Sequence, residues 1–84
     1  KGAYAVYQER IRTIVAKSVK LSKDINDIQD SDDLYSVGLT SLTTVNLMLS
    51  LEDEFDIEFD DNRLSRQTFE SIAALNDAVE ELSA

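Results

Sequence analysis

Gly38-Leu39-Thr40-Ser41-Leu42, running on through Thr43-Thr44-Val45-Asn46-Leu47-Met48-Leu49-Ser50-Leu51 to Glu52-Asp53-Glu54-Phe55, is the stretch on which the fold turns. Glycine permits a sharp turn, Thr40 is a favourable helix N-cap, and the apolar residues beyond it recur at helical spacing. The stretch predicts a helix over 41–56 with Ser41 in its first turn. A hydroxyl at a helix start, ahead of an apolar face and among acidic residues, reads as a modification point. It does not read as an active site, because the chain contains no His and no Cys to serve as base or nucleophile. No catalytic residue is predicted, and the chain is not read as an enzyme.

The same helix carries more apolar surface than one core needs. Leu47, Leu51 and Phe55 are spaced i, i+4, i+8 and form the natural buried set. Val45 and Met48 come next, and Leu42 and Leu49 fall at the margin, so the apolar arc spans roughly 220°, about twice the usual stripe. An apolar margin beside Asp53 has the form of a protein-docking surface. The alternative is that a short helix over 61–66 covers this flank. Met48, with its flexible thioether, also suits the wall of a cavity.

Working outward, no proline and only two glycines interrupt the chain, and no segment alternates as a strand would. An all-α domain is expected, a small four-helix bundle of three main helices and one short one. The first helix is predicted over 3–19, with Tyr4, Tyr7, Ile11, Ile14, Val15 and Val19 on its buried side. A long connection over 20–39 follows, rich in Asp, Asn and Ser that favour side-chain-to-backbone bonds. Ile25, Ile28, Leu34 and Val37 are expected to pin it to the core. The last helix is predicted over 69–82, capped by Thr68, with Phe69, Ile72, Leu75, Val79 and Leu82 buried.

Eighty-four residues, 43% of them hydrophobic, suffice for a single domain spanning 1–84 with one modest core. The net charge of −9 is divided unevenly: residues 1–23 carry +5, residues 24–62 carry −12, and the rest −2. Twelve acids without a base disfavour nucleic acid as a partner and favour a basic protein surface. No apolar run approaches the ~18 residues of a membrane span, so no membrane insertion is expected. A monomer in the cytoplasm is the expectation. The acids around Asp24–Asp33 do not form a calcium loop. Counting from Asp24, Gln29 takes the glycine position and Tyr35 the final glutamate, and no metal site is predicted.

The ordered run Asp33-Leu34, Gly38-Leu39, Thr40-Ser41-Leu42, Thr44-Val45, Leu47, Leu51-Glu52-Asp53-Glu54-Phe55 and Glu58-Phe59 resembles the acyl carrier and peptidyl carrier protein family. The resemblance implies a 4′-phosphopantetheine arm, derived from coenzyme A, on Ser41, holding an acyl or aminoacyl group as a thioester for partner enzymes. A carrier of this kind needs no catalytic residue of its own. It further implies partner contacts through Leu42, Met48, Leu49, Glu52 and Asp53. The implied partners are a phosphopantetheinyl transferase, an acyl- or amino-acid-activating ligase, and a downstream transferase or synthase.

Thr40 stands where the family usually has Asp, Thr43 and Asn46 replace frequent acids, and Asp60 replaces a common Pro. The neighbourhood of Ser41 is correspondingly less negative than is usual. Asp33-Leu34-Tyr35, Gly38-Leu39-Thr40-Ser41, Asp56-Ile57-Glu58-Phe59 and Asp61-Asn62-Arg63-Leu64-Ser65-Arg66 are similar to short stand-alone bacterial carriers, some of which are aminoacylated. An aminoacyl cargo is therefore expected over a fatty acyl or polyketide one. The competing reading is an unmodified acidic helical protein-interaction domain.

Overall fold

The computed structural model describes residues 2–83, with side chains described from 7 to 83; Tyr4, assigned above to the buried stripe of the first helix, lies outside the described side chains. Three α-helices form, α1 (Gly2–Ser18), α2 (Ser41–Phe55) and α3 (Ile72–Ser83), and no strand occurs among the described residues. α1 and α2 run in opposite directions. Tyr7 meets Phe55 edge to face with ring centres 5.5 Å apart, and Ser18 Oγ lies 3.3 Å from Ser50 Oγ. Ile11, Val15, Leu47, Leu51, Ile72, Leu75 and Val79 are wholly buried between the helices, each contributing roughly 1.5–3 kcal/mol by leaving water.

The long connection is built from side-chain-to-backbone bonds. Asp24 accepts from the Asn26 N–H at 2.8 Å and Asp33 from the Tyr35 N–H at 3.0 Å, each opening a short 3-10 turn, Ile25–Asp27 and Leu34–Val37. Ile28, Leu34 and Val37 reach the core as expected, while Ile25 is half-buried. Arg12 of α1 ties the connection down, donating to the Ile25 carbonyl at 3.0 Å and to Asp30 at 2.6 Å. Gly38 closes it at φ 133°, where an added Cβ would stand 2.5 Å from the Lys20 carbonyl oxygen. Only glycine fits that turn.

Several boundaries differ from expectation. The last helix begins at Ile72 rather than 69, and Thr68 does not cap it. Ser71 does, its Oγ accepting from the Ala74 N–H at 3.0 Å; Phe69 is buried, but in the 3-10 turn that precedes the helix. The short turn or helix expected over 61–66 takes the form of a 3-10 turn, Asp61–Arg63, followed by a second one, Arg66–Phe69, that runs beyond the expected span. Phe55 is half-buried rather than core, because it lies at the open end of the α1–α2 contact under the Arg10 guanidinium, 4.4 Å from the ring centre. Leu82 is likewise half-buried.

Candidate functional site

Ser41 is the first residue of α2, and its side chain is exposed. Thr40, extended at φ −122° and ψ 174°, forms a reciprocal capping box with Thr43. The Thr43 N–H donates to Thr40 Oγ1 at 3.2 Å, and the Thr40 N–H donates to Thr43 Oγ1 at 2.8 Å. Thr43 thus does by hydroxyl what Glu or Gln ordinarily does at this position. Thr44 adds a bond from its own hydroxyl to the Thr40 carbonyl at 2.6 Å. These bonds fix the start of the helix while leaving the Ser41 hydroxyl without a partner among the described residues.

Ser41 stands on the rim of a cleft of about 430 Å³ between α2 and the two 3-10 turns that follow it. Thr44, Val45 and Met48 form one wall, Leu64, Ser65 and Phe69 the other, with Tyr35 and Arg66 beside them. The Arg66 guanidinium lies 3.8 Å from the centre of the Tyr35 ring, and the Tyr35 hydroxyl donates to the Arg66 carbonyl at 3.1 Å. Burial holds the Tyr35 phenol above its usual pKa of 10.0, against the opposing pull of the Arg66 charge. Two further depressions, of about 420 and 440 Å³, are lined mainly by polar residues and do not include Ser41.

The predicted docking residues fall on two sides of this helix. Leu42 is 73% and Leu49 54% exposed, joined by Val45 at 49% and by Leu64 at 48% across the cleft. Met48 is half-buried and lines the cleft, as its flexibility suggested. Asp53 is exposed. Glu52 is half-buried and turned inward, its Oε2 accepting from the Phe59 N–H at 2.9 Å. The 61–69 segment, folded as separate 3-10 turns, faces Val45 and Met48 across the cleft and leaves Leu42 and Leu49 exposed, while Phe69 packs inward with its ring 5.4 Å from that of Phe59. Tyr35, Leu64, Ser65 and Arg66 were not singled out from sequence as part of this site. They come from segments far apart in the chain, and no local pattern marks them as neighbours of Ser41.

Fold and site define a small all-helical carrier domain. Comparison with known proteins states the family: the chain belongs to the phosphopantetheine attachment-site family, whose model matches residues 9–77. The aminoacyl carrier protein of Agrobacterium fabrum (strain C58) is 49% identical over 69 residues, covering 82% of this chain and 83% of that protein. The acyl carrier protein of Buchnera aphidicola subsp. Acyrthosiphon pisum is 41% identical over 61 residues, covering 70% and 72%.

Among solved structures, one similar chain is in the crystal structure of an engineered Bradyrhizobium japonicum glycine:[carrier protein] ligase complexed with carrier protein from Agrobacterium tumefaciens and ATP. It superposes with a TM-score of 0.85 at 45% identity, covering 89% of this chain and 97% of that one. A holo acyl carrier protein from Nitrosomonas europaea gives a TM-score of 0.78 at 31% identity, covering 89% and 93%.

The protein's prosthetic group is 4′-phosphopantetheine, and the chemistry of the site suits it. Ser41 presents a free hydroxyl, the amides of the first helical turn favour an anion, and no acid occupies that turn. The mostly apolar cleft with its few hydroxyls matches a flexible arm of methyl and amide groups.

Proposed function

We propose that Ser41 is the attachment hydroxyl, and that this carrier presents a small amino acid, of the size of glycine, to partner enzymes. The observation that carries the reading is the exposed Ser41 hydroxyl at the capped start of α2, on the rim of the cleft. When bound, the arm supplies a thiol that holds the cargo as a thioester. The residues of the chain do the rest. Thr40 and Thr43 hold the helix start so that the hydroxyl stays outward, and Leu42, Val45 and Leu49 offer an apolar strip beside it. Asp53 adds negative charge farther along α2.

Attachment joins Ser41 Oγ to the pantetheine-bearing phosphorus of the coenzyme A pyrophosphate and breaks that phosphorus's bond to the bridging oxygen, which leaves with adenosine 3′,5′-bisphosphate. The serine proton goes to a base on the transferase, since no carboxylate or imidazole lines the cleft among the described residues. A phosphopantetheinyl transferase, an amino-acid-activating ligase and a downstream transferase are the proposed partners, and the chain itself is proposed to be non-catalytic.

Two of the similar proteins support an amino-acid cargo. One is named an aminoacyl carrier, and a second similar chain is in a structure of a glycine:[carrier protein] ligase complexed with glycylated carrier protein, at 29% identity and a TM-score of 0.74. Packing supports it too. Leu47 and Leu51 have no exposure at all, so enclosing a long chain requires parting a filled core.

The test has two stages. Apo protein with coenzyme A and a broad-specificity transferase gains the arm at Ser41 by peptide mass mapping, and Ser41→Ala stays folded and unmodified. Holo protein with a glycine:[carrier protein] ligase, ATP and glycine then gains a glycyl mass. Modification elsewhere, or none, overturns the first stage. Failure of charging, with large amide shifts at Leu47 and Leu51 on octanoyl loading, replaces the amino-acid cargo by a fatty acyl one.

A further inference from the structure

Among the described residues, Arg66 is the charged group of the cleft that has no carboxylate partner. Arg10, Arg12 and Arg63 each form an ion pair with a carboxylate, whereas Arg66 forms none among the described residues. Its guanidinium instead lies over the Tyr35 ring, with Cζ 3.8 Å from the ring centre. The Tyr35 hydroxyl donates to the backbone carbonyl of the same residue at 3.1 Å, so ring and arginine hold each other. A contact with a ring face uses none of the hydrogen-bond acceptors that the five guanidinium N–H donors could take, and no hydrogen bond from the Arg66 side chain occurs among the described residues. Tyr35, Ser41 and Arg66 line the same cleft. Asp33 and Glu70 act on the same ring, yet neither is paired with Arg66.

A cation with no carboxylate partner among the described residues, lining the same cleft as a modifiable hydroxyl, fits an anion at that hydroxyl. We propose that Arg66 is a positioning residue for the prosthetic arm: its guanidinium pairs with the phosphodiester at Ser41 and directs the remaining arm along Thr44 and Met48. The inference rests on attachment at Ser41. A phosphodiester has two non-bridging oxygens, which suit the planar fork of arginine better than the point charge of lysine. The first turn of α2 has no acid to compete for the guanidinium.

The experiment compares apo and holo forms of the full chain by NMR with isotope-labelled arginine, attachment at Ser41 being mapped by mass in the same samples. On attachment the Arg66 Nε–Hε signal shifts while those of Arg10, Arg12 and Arg63 stay in place, and added salt reduces the shift. Nuclear Overhauser contacts between the arm's geminal methyls and Met48 weaken about two- to five-fold in Arg66→Gln, the range of an exposed ion pair. Arg66→Lys recovers part of the loss, which a purely structural role would not require. A modified Ser41 with an unmoved Arg66 signal, or undiminished methyl contacts in Arg66→Gln, overturns the proposal and leaves the attachment reading standing. Absence of modification at Ser41 removes both.

Discussion

Two residues show how local chemistry sets the tolerances of this small fold. Gly38 has φ 133°, and an added Cβ would meet the Lys20 backbone oxygen at 2.5 Å. Backbone atoms on both sides of that approach cannot rotate away. Gly38→Ala is therefore expected to cost about 1–3 kcal/mol from backbone strain alone, and more from the clash, measured by urea unfolding. Asn76 is the opposite case. It is wholly buried on α3, and neither Nδ2 nor Oδ1 has a hydrogen-bond partner among the described residues. An orphaned buried amide costs about 1–3 kcal/mol, so Asn76→Ala, though it removes volume, should be neutral or stabilising in the same assay. Leu75→Ala, at the neighbouring fully buried position, should instead cost about 2–5 kcal/mol. Equal losses at the two positions would show that the Asn76 amide is satisfied in solution.

At the scale of an element, α2 divides its work by face. Leu47 and Leu51 belong to the core, Met48 and Val45 to the cleft, and Leu42 and Leu49 to solvent. The acids at its far end divide likewise. Glu52 holds the Phe59 N–H at 2.9 Å and Glu54 holds Arg10 at 2.8 Å, which leaves Asp53 as the acid within α2 that has no side-chain partner among the described residues. Asp53→Lys is accordingly expected to slow association with a charging ligase and to flatten its salt dependence without loss of stability. Leu49→Ala should act mainly on dissociation. Stopped-flow association at several salt concentrations separates the two, and unchanged kinetics in both variants would remove this face from docking. Glu52→Lys is a poorer probe, because it also removes the bond that shapes the turn after α2.

Across the whole molecule, charge is arranged so that the basic first segment meets the acidic middle. Arg10 pairs with Glu54 and Arg12 with Asp30, linking α1 to α2 and to the long connection. Exposed pairs contribute only about 0–1 kcal/mol each, so they orient the elements more than they stabilise them. Tyr35 makes one feature of global stability dependent on pH. Its folded pKa lies above 10.0, chiefly through burial, so between the unfolded and folded values the unfolded chain binds fewer protons. Stability is then fully retained below pH 10 and falls as pH rises through that window. Chemical unfolding as a function of alkaline pH should show this decline, reduced in Tyr35→Phe; an unaltered slope in the variant would assign the decline to other groups.

The helical class, the place of Ser41 and the burial of Leu47 and Leu51 were legible in the sequence, because each depends on local spacing and on a cap within three residues. The Asp-rich connection was legible for the same reason, since Asp24 and Asp33 bond to backbone two residues away. The start of α3 was not, because Thr68 and Ser71 are both good caps, and the choice falls to Ser71 once Phe69 is buried beside Phe59. Nor was the cleft, whose walls join Tyr35, α2 and Arg66 across more than thirty residues of chain. The inward turn of Glu52 also depends on a neighbour seven residues on. Sequence alone determined which segments coil and which hydroxyl is presented, through interactions within a helical turn. Tertiary structure decided what surrounds that hydroxyl, because a wall made of distant segments exists only after the core has brought them together.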